Sequence, residues 1–213
     1  MLINILFSGM TSSVVIVGLG LEAVSFPVAE ASDCEDTWAV KLNEFLANPS
    51  GSDSQVLEEW VELYNVGSSE MDLAGWSLEW GTTTYNKSLD LSGVIQPGGT
   101  FVISEALANV GADLLLPSDE KLGLGNASSN ADAIRVLDCD GLVVDTVVYG
   151  GSNANGWLDD RGVLVLDTET GPKPGDNESI ARFQDGADSE IAASDFCDDA
   201  TPVSYTHLRA HET

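Results

Sequence analysis

The sequence predicts an all-β sandwich of antiparallel strands joined by long loops. Apolar stretches after Ser32 are short and rich in Val, Leu, Ile and aromatic residues. Clusters of Gly, Asn, Asp, Pro or Ser separate them, and no segment carries a long helical apolar stripe. Brief β-rich runs bounded by turn residues are the pattern of a sandwich. The chain has 35 acidic and 8 basic residues for a net charge of −27, yet 43% of it is apolar, including five Trp. That apolar content supplies a core, so the acidity does not imply disorder.

Taken in order, strands are expected at 39–46, 60–65, 76–81, 83–87, 100–104, 133–137, 142–149 and 179–182. In the second of these, alternation places Val61 and Leu63 on a core face and Trp60, Glu62 and Tyr64 on the opposite, amphipathic face. Leu73, Trp76 and Leu78 refill the core from the next strand, and Asn65-Val66-Gly67 turns the chain between them. Pro97-Gly98-Gly99 is a tight turn leading into Phe101. Asp138-Cys139-Asp140-Gly141 joins two β-rich runs and reads as a hairpin turn, with Gly supplying the positive φ. Two regions are loop-like, 48–55 and 153–177, the latter surrounding a short apolar patch at 163–166. Loops of that length in a compact domain are often functional.

The two ends differ from the rest. Residues 1–21 carry no charged side chain, and the run Val14 to Leu21 is apolar or Gly. Ala29-Glu30-Ala31 then offers the small residues of a signal-peptidase site, so a signal peptide over 1–31 and export are expected. The segment lacks the usual Lys or Arg at its start. A membrane anchor is the competing reading, but Asn4, Ser8 and Thr11-Ser12-Ser13 interrupt the stretch, short of the roughly 18 to 20 apolar residues of a span. Residues 204–213 (SYTHLRAHET) hold both histidines. They depart from the Asp/Gly/Ser style of the preceding chain and are set aside as a non-native or disordered tail. The domain is therefore 32–203, with 7 basic and 32 acidic residues and no histidine. Such charge opposes direct binding of nucleic acid, and the missing histidine excludes Ser-His-Asp and Cys-His catalysis.

Several blocks together resemble the lamin-tail domain family. They are Leu42-Asn43-Glu44-Phe45-Leu46-Ala47-Asn48-Pro49-Ser50-Gly51, Glu59-Trp60-Val61-Glu62-Leu63-Tyr64-Asn65, Asp72-Leu73-Ala74-Gly75-Trp76-Ser77-Leu78 and Ile95-Gln96-Pro97-Gly98-Gly99-Thr100-Phe101-Val102-Ile103. Asp145-Thr146-Val147-Val148-Tyr149-Gly150 and Ser179-Ile180-Ala181-Arg182, followed by Asp185-Gly186, complete the series. The resemblance implies an immunoglobulin-like β-sandwich, found in nuclear lamins and exported bacterial proteins, and often accompanied by further domains. Members usually close with Thr-Pro-Gly, whereas Thr201-Pro202 here meets Val203. Asn43, Glu44, Glu59, Trp60, Glu62, Tyr64, Asn65, Gly75, Trp76 and Gly98 are the motif residues, and they are expected to serve the fold first.

Other candidates carry both a functional and a plain reading. Glu44, Glu59 and Glu62 could supply the carboxylate pair of a glycosidase, but strand carboxylates more often accept framework hydrogen bonds. Asp138, Asp140, Asp145, Asp185 and Asp188, with Asp159 and Asp160, invite a calcium reading because hard cations take several loop oxygens. The run Asp138-x-Asp140-Gly141 fails the EF-hand spacing, since Gly is fourth rather than sixth and no Glu stands twelfth. Weak, nonspecific cation association is the plainer expectation, with no cofactor required. Trp80, Tyr85 and Trp157 are expected to be exposed aromatics that could form a sugar- or protein-binding face. The sequons at Asn86, Asn126 and Asn177 arise readily by chance in such a chain. Cys34, Cys139 and Cys197 form no CxxC pair, so a disulfide is expected. Three pairings are open, with Cys34 to Cys139 favoured. The expected function is a non-catalytic, secreted or cell-surface interaction and scaffolding module whose partner is a protein or a surface glycan. The alternatives are a calcium-dependent adhesin or carbohydrate-binding module and, less favoured, a carboxylate-dependent glycosidase.

Overall fold

The computed structural model describes residues 34, 37–51, 58–108 and 110–198, and the backbone alone of 13–16, 24–27 and 199. The expected cleavage site after Ala31 and the tail 204–213 lie outside the described residues. The chain divides into two units, Met1–Glu35 and Asp36–Thr213. In the first, β1 (Ser13–Ile16) and β2 (Val24–Pro27) pair antiparallel.

The second unit carries the remaining strands. In chain order these are β3 (Val40–Leu46), β4 (Trp60–Asn65), β5 (Met71–Asp72), β6 (Ser77–Gly81), β7 (Lys87–Asp90) and β8 (Val94–Ile95). There follow β9 (Thr100–Ser104), β10 (Leu114–Leu115), β11 (Ala131–Leu137), β12 (Val143–Gly150), β13 (Ser179–Arg182) and β14 (Phe196–Asp199). The order β10-β9-β4-β3-β13-β14 makes a six-stranded sheet and β12-β11-β6-β7 a four-stranded one, while β5 and β8 form a separate pair. Pairing is antiparallel except between β10 and β9, which run parallel. The one α-helix among the described residues, α1, is the single turn Ala192–Asp195. The fold is an immunoglobulin-like β-sandwich.

The core lies between the sheets. Val40, Leu42, Phe45, Val61, Leu63, Phe101 and Ile103 enter it from one sheet, and Leu78, Trp80, Ile134, Val136, Val147 and Tyr149 from the other. Phe45 meets Tyr149 with ring centroids 4.8 Å apart. The buried Tyr149 hydroxyl donates to Gly125 O at 2.9 Å, as an interior phenol must find an acceptor. Leu42 and Phe45 both reach the core although three residues apart, because a bulge between Leu42 and Glu44 inserts Asn43. Trp76 is buried as expected; truncating a side chain of this kind costs about 3 to 5 kcal/mol.

Two turns explain motif residues. The Asn65 side chain donates to Ser69 O (2.8 Å) and Ile95 O (3.0 Å) and accepts from Gly67 N (2.8 Å). Its backbone exchanges hydrogen bonds with Gly98 and Gly99. Asn65 thereby ties the end of β4 to the Pro97-Gly98-Gly99 turn, in which Gly98 has φ +66°. Gly75 has φ +81°, and a Cβ there would lie 3.1 Å from that of Cys139. Both the left-handed backbone and the space exclude a larger residue.

Three expectations are corrected. The strand expected at 83–87 begins at Lys87, because residues 82–84 form the turn after β6 and Leu89 must face Leu78 across the hairpin. Both faces of β4 are covered rather than one, with Trp60 and Glu62 as inaccessible as Val61 and Leu63. Trp80 and Trp157 are buried and Tyr85 is half-buried, so they form no exposed aromatic face. Trp80 Nε1 donates to Leu122 O and Trp157 Nε1 to Ala131 O, each at 2.8 Å. Covered indoles need such an acceptor.

Candidate functional site

Four groups of side chains bear on function, and the most connected centres on Arg182 of β13. Its Nε donates to Leu42 O at 2.7 Å and its Nη1 to Ala187 O at 2.6 Å. Nη2 lies 3.0 Å from Asp145 Oδ2, while Nη1 lies 3.4 Å from Asp195 and 3.5 Å from Asp188. The guanidinium stacks 4.5 Å from the centroid of Phe196. Asp145 Oδ2 also accepts from Leu42 N (2.7 Å), and Asp188 binds Lys41 Nζ at 2.6 Å. Burial works against the Asp188 charge, but the Lys41 hydrogen bond and the field of Arg182 outweigh it, so its carboxyl lies below the ordinary range. Burial likewise works against the Lys41 ammonium and is outweighed by Asp145 and Asp188, so its pKa is raised. This network joins β3, β12 and β13, and so ties the two sheets together.

Glu59 and Glu105 form a second group. Leu124 N donates to Glu59 (2.7 Å), Leu122 N to Glu105 (2.8 Å), and Glu59 N to the other oxygen of Glu105 (3.0 Å). Lys87 Nζ and the Trp80 indole both donate to Leu122 O. The two carboxylates therefore pin segment 122–124 across the edge of the sandwich. Burial pushes the Glu59 carboxyl up to about 8, helped by Glu105 and opposed by the Leu124 amide.

In the third group the bulge residue Asn43 donates to Glu62 (2.8 Å) and Asp185 (3.1 Å) and accepts from Gly186 N (3.0 Å). Burial, with Asp185 and Asp113 nearby, raises the Glu62 carboxyl to about 7 against the pull of Asn43. Glu44 stands opposite Glu62 in the β3–β4 ladder. Glu59 and Glu62 are 4% and 1% exposed. These carboxylates face framework donors, and neither presents an open position to a substrate.

The fourth group is the loop after β12. Asn153 holds it shut, donating to Trp157 O (2.9 Å) and Val165 O (2.7 Å) and accepting from Trp157 N (2.8 Å). Asp159 caps the tip, accepting from Arg161 N and Val163 N and pairing with the Arg161 guanidinium at 2.6 Å. Carboxylate oxygens of Asp159, Asp160 and Glu190 lie within 4.8 Å of one another. The Asp160 hydrogen bond, with burial and the charge of Asp188, raises Glu190 to about 7.

The residues proposed for calcium do not gather at one point. Asp145 and Asp188 serve Arg182 and Lys41, and Asp185 serves Asn43. Asp138 caps its own hairpin by accepting from Asp140 N and Leu142 N, each at 2.9 Å. Asp140 is exposed at the tip of that turn. Cys139 is disulfide-bonded, as is Cys34. Cys197 points its thiol at Ala181 O, 3.7 Å away. Glu105, Glu190, Asp195 and the hub role of Arg182 were not foreseen. Only the SIAR block containing Arg182 signalled anything.

The family model of the Lamin Tail Domain matches residues 35–151. The chain belongs to the lamin tail domain family. No curated protein matches the sequence. The lamin-tail match stops at the end of β12, whereas β13 and β14 lie beyond it and extend the six-stranded sheet on the β3 side. Arg182 thus lies outside the matched segment while binding Leu42 and Asp145 within it. A lamin tail domain is an immunoglobulin-like module, typically without enzymatic activity.

Proposed function

We propose that this lamin tail domain protein is an exported or cell-surface interaction and scaffolding module whose partner is a protein or a surface glycan. The observation that carries the reading is the engagement of the buried strand carboxylates. Glu59, Glu62 and Asp145 each accept hydrogen bonds from the framework and are covered. A glycosidase pair needs a substrate between its two carboxyl groups, and these point into packed protein. The uncharged N-terminal run and Ala29-Glu30-Ala31 support export, and the net charge of −27 favours partners other than nucleic acid. Among the described residues no helix is long and apolar enough to cross a membrane. That Cys34 and Cys139 are each disulfide-bonded fits an oxidising compartment, and peptide mapping without reductant checks it.

The test has two readouts on the full chain. Expressed in a bacterium with a periplasm, the protein should be recovered outside the cytoplasm with its N-terminus at Ser32. Incubated with a panel of glycans, it should release no reducing sugar. Turnover that disappears in Glu59→Gln or Glu62→Gln would overturn the non-catalytic reading, and cytoplasmic retention would overturn export.

A further inference from the structure

The loop after β12 is built inside out. A surface loop ordinarily directs polar side chains to water, yet here Asn153 and Asp159 spend theirs on the loop backbone. Ser152 Oγ and Asn153 N both bind Asp167, at 3.0 and 2.7 Å, and Leu166 N binds Glu169 at 2.8 Å. Trp157 and Val165 turn inward onto Ala131, Ala133 and Val148. Because side chains alternate along an extended chain, Leu158, Leu164 and Leu166 are turned outward. Leu158 and Leu164 are direct partners across an antiparallel bridge, so their side chains lie side by side. Leu158, Val163, Leu164 and Leu166 are 47%, 56%, 52% and 55% exposed. Scattered exposed aliphatics are ordinary, but Leu158, Leu164 and Leu166 share the outward face of one hairpin, an apolar row of the kind that marks a binding surface.

The rim carries the sign of the partner. Asp159, Asp160, Asp167, Glu169 and Glu190 belong to this loop or touch it, and the cation at its tip, Arg161, is committed to Asp159 and Glu190. An acidic rim around an aliphatic row repels acidic partners and steers basic ones. We infer that the outer face of the 157–167 loop is a docking surface for a protein segment bearing an aliphatic row flanked by lysine or arginine. The inference rests on the interaction-module reading and deepens it, since it names the face and the chemistry of the partner.

The experiment uses the full chain and a synthetic amphipathic helix of Leu and Lys, with a Leu and Glu helix as control, by titration calorimetry. The Leu/Lys peptide should bind saturably and the Leu/Glu peptide should not. Leu164→Ser with Leu166→Ser should weaken binding by about 10-fold or more while leaving the melting temperature nearly unchanged, as exposed substitutions do. Leu158→Ser alone gives an independent check should the double variant lose its fold. Asp160→Asn should weaken binding and flatten its salt dependence. Equal binding by the Leu→Ser variants would assign the attraction to the general charge of the chain and overturn this face while sparing the module reading. Absence of saturable binding would also overturn it. Glycan turnover by the same sample would instead defeat the module reading, whatever the peptide does.

Discussion

Replacing Arg182 by Met removes the cation that binds Asp145 at 3.0 Å, while the Met side chain keeps much of the aliphatic bulk beside Phe196. The loss has three parts: Asp145 loses its ion-pair partner and keeps the Leu42 amide and the field of Lys41, Leu42 O and Ala187 O lose donors at 2.7 and 2.6 Å, and Asp195 loses its guanidinium. Removing one partner of a buried ion pair costs about 3 to 5 kcal/mol, because the other charge is left uncompensated. At roughly 2 to 4 °C per kcal/mol for a domain of this size, the melting temperature should fall by about 6 to 20 °C. Urea unfolding followed by Trp fluorescence measures the change directly, with the midpoint shifting and the slope unchanged. Asp145→Asn in the Arg182→Met background should recover part of the loss, since the stranded charge is gone and the amide oxygen still accepts from Leu42 N. A coupling energy of about 1 kcal/mol or more between the two sites is expected. A single-variant cost below about 1 kcal/mol, or strict additivity in the double variant, would show that the network does not hold the sheets together.

Stability should fall as pH rises from 5 to 8.5. The folded Glu59 and Glu62 values, about 8 and about 7, lie above the ordinary 4.5, so the folded state retains protons that the unfolded chain releases. Their contribution is full below pH 4.5 and is lost as pH rises through 7 to 8. Thermal melts across this range should flatten in Glu59→Gln, and an unchanged slope would rule out the assignment. Asn65→Ala leaves Ser69 O, Ile95 O and Gly67 N without their partner and should cost about 2 to 4 kcal/mol in urea. Retention of wild-type stability would show that the turns stand without it. Millimolar calcium and magnesium should raise the melting temperature equally and slightly by general screening of the acidic surface. A shift with calcium alone would revive the adhesin reading.

The legible parts of the fold are those that alternation and turn chemistry encode locally. The runs around Val40–Leu46, Trp60–Asn65, Thr100–Ser104 and Ser179–Arg182 declare themselves because β-branched and aromatic residues recur between Gly, Asn and Pro punctuation. The two-residue strands Met71–Asp72, Val94–Ile95 and Leu114–Leu115 are too short to show a period. The Thr-rich segment at 82–84 shows the reverse error. Its β propensity is high, yet the register of Leu89 against Leu78 sets the hairpin, and propensity yields to packing. Trp80 and Trp157 were misplaced for a related reason. Their burial depends on Leu122 and Ala131, 42 and 26 residues away, to accept the indole protons.

The site was less legible because its partnerships are longer still. Arg182 meets Leu42 across 140 residues and Lys41 meets Asp188 across 147, and no local spacing encodes either encounter. Asp138, Asp145, Asp185 and Asp188 resemble cation ligands in a list of acids, but three of the four face a nearby cation or amide of the chain that already answers their charge, and Asp138 answers its own turn. The same reasoning, run in reverse, gives the apolar loop its weight. Polar side chains such as Asn153 and Asp159 are consumed internally, and Leu158, Leu164 and Leu166 stand at the surface beside the exposed Arg161 and Asp167. A loop whose rigidity is supplied from within loses little conformational freedom when a partner covers it, so more of the contact energy is available for binding.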